Sequence, residues 1–329
     1  MYQLSDIAIV ILNWNGKALL EQFLPSVVNY SESAKIYVAD NASTDNSVAF
    51  LYEHFPDIKV IKNTENGGYA KGYNDALKHV SEPLLCLLNS DIEVTEHWLQ
   101  PILEEFNTSD AAIIQPKILD FKKKTHFEYA GAAGGFIDKY GYPYCRGRIF
   151  DSLEEDKNQY NDTRAIFWAS GACFFIKKDV FETLNGFDES YFAHMEEIDL
   201  CWRAFNLNFK AKYVGTSTVF HVGGATLSNT NSKKTYLNFR NSLYTLFKNT
   251  DKNLVSRLFV RMLLDGIAGI RFLIRLQPSF FLAIIRAHFS FYASLRRLLN
   301  ARKQISKQKH YFERPSIVWS YFIKGQKTF

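Results

Sequence analysis

The first third of the chain repeats one pattern, a short apolar run followed by an amphipathic stretch. Ile7–Leu12 is continuously apolar and ends in Asn13-Trp14-Asn15-Gly16. Leu19, Leu20, Phe23, Leu24, Val27 and Val28 then recur at helical spacing, with Pro25 expected to bend that helix or shift its start. Lys35–Asp40 alternates around Ile36 and Val38, and Val48, Leu51, Tyr52 and Phe55 predict the next helix. Ile58–Lys62 predicts a third strand, and Ala70, Tyr73, Leu77 and Val80 mark the helix after it. Leu84–Leu88 is too short for a free-standing helix and too uniformly apolar for a half-exposed strand, so it reads as a strand covered on both faces. Ala111–Pro116 predicts a fifth strand. Strand and helix units in this order predict an α/β fold, a mainly parallel sheet flanked by helices.

Ligands in such sheets bind beyond the carboxyl ends of the strands, and the loops there carry Asn13, Asp40, Asn66 and Asp91. Asn89, Ser90 and Asp91 arrive where a metal or phosphate would be held; the competing role for Asp91 is to cap the helix containing Trp98, Leu99 and Leu103. Asn66-Gly67-Gly68 precedes a helix, and paired glycines let backbone amides approach a diphosphate, although an ordinary Gly-rich turn fits equally well. Neither G-x-G-x-x-G nor G-x-x-x-x-G-K-[ST] occurs, which disfavours a dehydrogenase or a P-loop protein.

Lys117–Thr163 lacks a clear period, and no regular core role is expected of it; a flap or an inserted segment fits. Ala165–Lys177 resumes the strand pattern around Ala169-Ser170-Gly171-Ala172, small residues that let backbone pass close to a ligand. Val180–Leu184 predicts a short helix closed by Asn185-Gly186. Ile198, Cys201, Trp202 and Phe205 then mark a buried helix face and place Glu196 and Glu197 near its N-terminus, where acids either serve the helix dipole or act on a ligand.

Composition adds a division to this picture. The 329 residues allow one large or two modest domains. Residues 251–329 carry fifteen Lys/Arg and three Asp/Glu, net +12, which leaves net −7 in residues 1–250. From Leu254 to Leu299 apolar clusters are broken by Arg257, Arg261, Arg271, Arg275, Arg286, Arg296 and Arg297. The longest uncharged run, Leu276–Ile285, is ten residues, short of the ~20 that span a bilayer. This region is expected to lie on an anionic membrane surface; the competing reading is a helical subdomain or oligomer contact with a solvated basic face. No nucleic-acid motif accompanies the charge, so nucleic acid is not an expected partner. Four scattered cysteines predict neither a zinc site nor disulfides and suit a reducing compartment. Ile7–Leu12 is too short for a signal peptide, so a cytoplasmic protein, peripheral on the inner face of the cytoplasmic membrane, is expected.

Five segments, in order, resemble the inverting nucleotide-sugar glycosyltransferases of family 2, which have the GT-A fold. They are Ile11-Leu12-Asn13-Trp14-Asn15, Asp40-Asn41-Ala42-Ser43-Thr44-Asp45, Asn66-Gly67-Gly68-Tyr69-Ala70-Lys71-Gly72, Leu88-Asn89-Ser90-Asp91 and Glu196-Glu197-Ile198-Asp199-Leu200-Cys201-Trp202-Arg203. Leu-Asn-Ser-Asp and the Gly186–Asp188 stretch look most like rhamnosyltransferase-type members. The resemblance implies a GT-A domain over residues 1–250, followed by the basic helical region 251–329. It implies Asp40 at the nucleobase, Asn13 and Asn41 near the nucleoside, and Asn66, Gly67, Gly68, Lys71, Asn89 and Ser90 along the nucleotide. Asp91 would bind Mg²⁺ or Mn²⁺ across the diphosphate, with Asn89 replacing the first carboxylate of D-x-D, and His221 matches a position that supplies a metal ligand in some relatives. Glu197 would be the general base, with Glu196 and Asp199 as rivals; Trp168 and Gly171 would border the donor sugar or the acceptor, a core position fitting Trp168 equally well. Gly223–Lys234 reads as a mobile lid, and Arg240 as either a diphosphate contact or part of a solvated helix face. The implied reaction moves a sugar from a nucleotide-diphospho-sugar, dTDP-rhamnose or a UDP-hexose, to a lipid-linked or growing surface glycan. A non-catalytic sugar-nucleotide scaffold and a nucleotidyltransferase are the alternatives.

Overall fold

The computed structural model describes residues 1–223 and 232–329, so most of the stretch read as a lid lies outside the described residues. The opening pattern folds as β1 (Ile7–Asn13), α1 (Lys17–Tyr30), β2 (Lys35–Asp40), α2 (Ser47–His54), β3 (Lys59–Lys62), α3 (Gly68–Leu77) and β4 (Leu84–Asn89). These strands are parallel in the order β3-β2-β1-β4. Strands β2 and β3 lie to one side of β1 and β4 to the other, so the carboxyl ends of β1 and β4 open the crevice where such sheets bind ligands. Alternate residues of β4 enter different cores. Leu84, Cys86 and Leu88 pack with Leu20, Leu24 and Ile102 on one face, while Leu85 and Leu87 pack with Tyr73, Ala76 and Trp202 on the other. Helix α1 continues through the exposed Pro25 and buries Leu20, Phe23, Leu24 and Val27.

The second half is mixed. Strand β5 (Ile92–Val94) follows β4 immediately, ahead of α4 (Gln100–Thr108) and β6 (Ala111–Asp120), which runs past the expected end at Pro116. A small antiparallel sheet follows, β7 (Gly135–Ile137), β8 (Pro143–Cys145), β9 (Arg148–Ile149) and β10 (Ser152–Leu153). After β11 (Thr163–Ile166) the chain re-enters the main sheet at the carboxyl edge, so β12 (Cys173–Lys177) lies antiparallel between β4 and β6. Helices α5 (Lys178–Thr183) and α6 (Glu196–Asn206) lead to β13 (Lys210–His221), parallel to β6 and antiparallel to β5 and β11. The parallel expectation thus describes β1–β4, and the sheet beyond them is mixed, antiparallel except for the β6–β13 pair.

One expectation fails in this half. Residues 117–163, expected to have no regular core role, place Phe127, Ala132, Ala133, Phe136, Ile137 and Tyr144 in the main core. Their strands are too short to carry a readable period, and their polar neighbours are buried as well.

The last third comprises α7 (Ser232–Asn249), α8 (Leu254–Ile274), α9 (Pro278–Ala293), α10 (Leu295–Gln304) and α11 (Ile317–Phe322). The charge changes near residue 250, but the packing is continuous. Tyr311 lies on Trp202 with ring centroids 4.5 Å apart, and the C-terminal Phe329 packs on Phe136 at 5.1 Å. Among the described residues no helix is long and apolar enough to cross a membrane.

Candidate active site

Asn13 ends β1 fully buried and donates from Nδ2 to Asp40 Oδ1 at 3.1 Å and to Ser43 Oγ at 3.2 Å. The Ser43 amide donates to Asp40 Oδ2 at 3.0 Å. Asp40 is thereby aimed by its own loop, and each oxygen keeps acceptor capacity for a ligand. Asn41 is used differently. Its Nδ2 donates to Asn66 Oδ1 (3.0 Å) and Gly68 O (3.1 Å), and its Oδ1 accepts from Asn63 Nδ2 (3.1 Å), so it ties the loops after β2 and β3 together.

The paired glycines correct the diphosphate-cradle expectation. Gly67 N–H donates to Glu65 O, Gly68 N–H to Asn66 Oδ1 and Tyr69 N–H to Phe192 O, so these three amides are engaged inside the protein. Gly68 adopts φ +76°, and a Cβ there would lie 2.4 Å from Phe192 O; the glycine permits close approach of the loop before α6. Gly68→Ala is expected to lower stability by about 1–3 kcal/mol. A urea midpoint unchanged from wild type would refute this role. Lys71 forms ion pairs with Asp75 (2.5 Å) and Glu65 (3.6 Å) along the helix surface.

Asp91 lies between β4 and β5, so it does not cap α4. Its Oδ1 lies 3.2 Å from His221 Nε2, at the end of β13, where the β5 pairing sets His221 opposite Ile92. Asn89 Nδ2 lies 3.5 Å from the same nitrogen. On the other side His221 Nδ1 is 3.3 Å from Glu128 Oε2, a charge contact rather than a directed hydrogen bond. Asp91, His221 and Glu128 are each about 5% exposed. Burial alone would depress His221, but the two carboxylates outweigh it and hold the imidazolium up to about 10. Burial would likewise raise Asp91, and His221 outweighs it, holding the carboxyl below its ordinary range. Glu128 is not legible in the sequence: it sits in the aperiodic segment, and it is brought back beside β6 by its amide bond to Ile118 O together with those of Asp120 to His126 O and Ile118 to Ala132 O.

Among the described residues no group of three acidic, histidine or cysteine side chains forms a complete cation cage. The oxygens of Asp91 nevertheless suit Mg²⁺ or Mn²⁺, and His221 would join them as a nitrogen donor on releasing the proton that its carboxylate neighbours favour, with the remaining ligands left to a diphosphate. The second nitrogen of His221 faces a carboxylate, as is usual for metal-ligating histidines.

Glu197 reaches the same sheet edge through a short relay. The Asn89 amide donates to Ala172 O at 2.9 Å, and a Cβ on the adjoining Gly171 would lie 3.7 Å from Glu197 Cδ. Tyr69 Oη donates to Gly171 O at 2.8 Å and closes this wall. Glu197 is half-buried, whereas Glu196 is 4% exposed. One oxygen of each, Oε2, is buried without a hydrogen-bond partner. Burial pushes the Glu197 carboxyl up to about 7; burial and its neighbour Glu197 drive Glu196 well upward.

The loop leading into these acids is strained, with Phe192 at φ +64°, His194 at +70° and Met195 at +73°. Helix α7 holds it. Asn241 Nδ2 donates to the carbonyls of Tyr191 (3.1 Å), Ala193 (3.0 Å) and His194 (2.7 Å), and Arg240 donates to those of Ser190 and Tyr191. Arg240 is therefore a loop clamp, neither a diphosphate contact nor a solvated side chain.

Two further expectations are corrected. Asp199 is fully buried and accepts from Tyr191, Arg203, Lys248 and Asn249, so it pins α6 to α7 and has no reach to act as a base. Trp168 is 3% exposed, donates from Nε1 to Phe136 O at 2.7 Å and covers Gly135, which places it in the core rather than beside a sugar. Ser90 remains half-buried beside Gly16 at the mouth of the β1–β4 crevice.

This fold and site have relatives. The chain is 24% identical over 246 residues to the low-salt glycan biosynthesis hexosyltransferase Agl10 of Haloferax volcanii, covering 72% of this chain and 74% of that protein. It is 23% identical over 233 residues to N-acetylglucosaminyl-diphospho-decaprenol L-rhamnosyltransferase of Mycobacterium tuberculosis, covering 65% and 75% respectively. Among solved structures, mannosyltransferase PcManGT from Pyrobaculum calidifontis, in complex with GDP-Man and Mn²⁺, superposes with TM-score 0.54 at 13% identity over 91% of this chain and 82% of that one. GalNAc-T7 with UDP, GalNAc and Mn²⁺ gives TM-score 0.58 at 16% identity over 75% of this chain, which spans about half of it, 48%. These neighbours share the GT-A fold. The glycosyl transferase family 2 model matches residues 8–184, more than half of the sequence, and the chain belongs to that family, a glycosyltransferase of glycan biosynthesis.

Proposed function

We propose that this glycosyltransferase moves a sugar, with inversion, from a nucleotide-diphospho-sugar to a hydroxyl of a lipid-linked or growing surface glycan. The observation that carries the reading is Glu197, a half-buried carboxylate with an unpartnered oxygen, beside the Gly171–Ala172 wall whose Ala172 carbonyl accepts from the Asn89 backbone, two residues before Asp91. In this reading Asp40, aimed by Asn13, receives the nucleobase, and Asn89 and Ser90 line the path to the diphosphate. Asp91 and His221 would hold Mg²⁺ or Mn²⁺, which supplies charge neutralisation to the departing diphosphate. Glu197 takes the proton of the acceptor hydroxyl as that oxygen attacks the anomeric carbon opposite the leaving group, and attack from that side inverts the centre. The rhamnosyltransferase and hexosyltransferase relatives support dTDP-rhamnose or a UDP-hexose as donor, and the decaprenol-linked substrate named for one of them supports a lipid-linked acceptor.

The experiment is a panel of nucleotide sugars offered to the purified chain with Mg²⁺, Mn²⁺ or chelator, with products resolved by mass and anomeric configuration. Release of nucleoside diphosphate with an inverted glycoside is expected; release of pyrophosphate would reassign the reaction to nucleotidyl transfer.

Glu128 has a separable part in this scheme. A carboxylate behind a ligating histidine orients the ring and raises its basicity, and its loss commonly weakens metal affinity about tenfold or more. Glu128→Gln is accordingly expected to weaken Mn²⁺ binding in the presence of nucleoside diphosphate by about tenfold, read by calorimetry. Unchanged Mn²⁺ affinity would remove Glu128 from the site.

A further inference from the structure

Helix α8 is amphipathic in the reverse of the usual sense. Its charged stripe, Arg257, Arg261 and Asp265, is the face turned into the protein. Arg261 Nε donates to Asp265 at 2.8 Å, its guanidinium lies 3.8 Å from the centroid of the Tyr142 ring, and Tyr142 Oη donates to the same carboxylate at 2.8 Å. Arg257 donates to Tyr311 Oη at 3.0 Å. With these charged groups turned inside, the outward stripe is apolar. Val255, Phe259, Leu263, Ile267, Ile270 and Ile274 are 81%, 64%, 54%, 63%, 55% and 77% exposed, and Leu276 in the turn to α9 is 89% exposed. A continuous apolar stripe along 21 residues is far more than the scattered exposed side chains of an ordinary surface.

The charges around this stripe have one sign. Between Leu254 and Gln304 the sole carboxylate in the sequence is Asp265, which is fully buried, while Arg271, Arg275 and Arg286 are exposed. A second copy of the chain docked on this face would set arginine against arginine with no acid to pair them. An anionic lipid surface complements both features, taking the apolar side chains below its headgroups and the guanidinium groups among its phosphates.

We propose that the outer face of α8 and the α8–α9 turn form a docking surface for an anionic membrane, so that the helix lies in the interface instead of crossing it. The surface is coupled to the candidate active site through packed helices. Tyr236 Oη of α7 donates to Ser290 Oγ of α9 at 3.1 Å, and Arg297 of α10 donates to Ser190 Oγ at 2.5 Å, in the loop that α7 clamps ahead of Glu196 and Glu197. Docking is independent of the sugar-transfer reading, since it rests on a different face.

The test is flotation of the full chain with vesicles of phosphatidylcholine alone or of phosphatidylcholine and phosphatidylglycerol in equal parts, without nucleotide. The wild type is expected to float with the anionic vesicles and to be released by salt. The double substitution Phe259→Glu and Ile267→Glu, at positions whose exposure makes them tolerant, is expected to reduce partitioning about tenfold or more with an unchanged circular dichroism spectrum and donor binding. Arg271→Gln with Arg275→Gln is expected to remove the preference for anionic over neutral vesicles. Flotation of the double Glu variant at the wild-type level, or a wild type indifferent to anionic vesicles, overturns the proposal. So does a wild-type dimer that the same Glu substitutions dissociate without any vesicle binding, which would assign the face to a second copy. Donor binding measured without vesicles reports separately on the glycosyltransferase reading.

Discussion

Glu197→Gln is expected to reduce kcat by about 10²–10⁴-fold, the usual contribution of a positioned general base, while the donor KM stays near the wild-type value. The substitution keeps the shape of the side chain and removes only its capacity to take a proton. Glu197 does not contact Asp40 or Asn13, so donor binding has no reason to change. Glu196→Gln should retain most of the turnover, because that carboxyl is 4% exposed, more deeply buried than the half-buried Glu197. The pH profile is a second readout. A base must be deprotonated to act, and burial holds this carboxyl up to about 7. The wild-type rate should therefore climb about tenfold per pH unit below that point and level off above it, and this limb should vanish in Glu197→Gln. Wild-type turnover in the variant, with the acidic limb intact, would transfer the role to another group.

Asp91→Asn is expected to cost about 10³-fold in kcat, the loss of several kcal/mol of charge stabilisation as the diphosphate leaves. It also leaves His221 facing one carboxylate instead of two, so Mn²⁺ affinity should fall alongside turnover. Raising Mn²⁺ should recover part of the rate, whereas no Mn²⁺ concentration should rescue Glu197→Gln. That contrast separates a ligand from a base. Equal turnover of wild type and Asp91→Asn across a Mn²⁺ titration would falsify the assignment. Because Asp91 is buried in an ion pair, the variant's melting transition belongs in the same experiment.

Both variants bear on residues that local pattern made visible. Leu84–Leu88 could only be a strand buried on both faces, and a polar Asn-Ser-Asp at its end had to fall at the ligand edge of the sheet. The same logic located Asn13, Asp40 and the acids at the start of α6. What it could not supply was the direction of each side chain once buried. Asp199, three residues from Glu196, has the same local credentials, yet it is saturated by Arg203, Lys248 and Asn249, two of them some fifty residues away. Gly68 looked like an anion cradle and proved to be the point where α3 meets Phe192, a contact between loops more than a hundred residues apart.

The apolar runs and their spacing were enough to determine the α/β layering, the parallel first half and which loops lie at the carboxyl edge of the sheet, because period and length are local properties and burial on two faces leaves a continuous apolar signature. Membership of β12 in the middle of the sheet, the return of Glu128 to His221 and the inverted seating of α8 were decided only by tertiary packing. Each depends on a pairing between distant segments: an arginine on a helix reads as solvent-facing until Tyr142 and Asp265 are found opposite it, and then its apolar neighbours are the ones left outside.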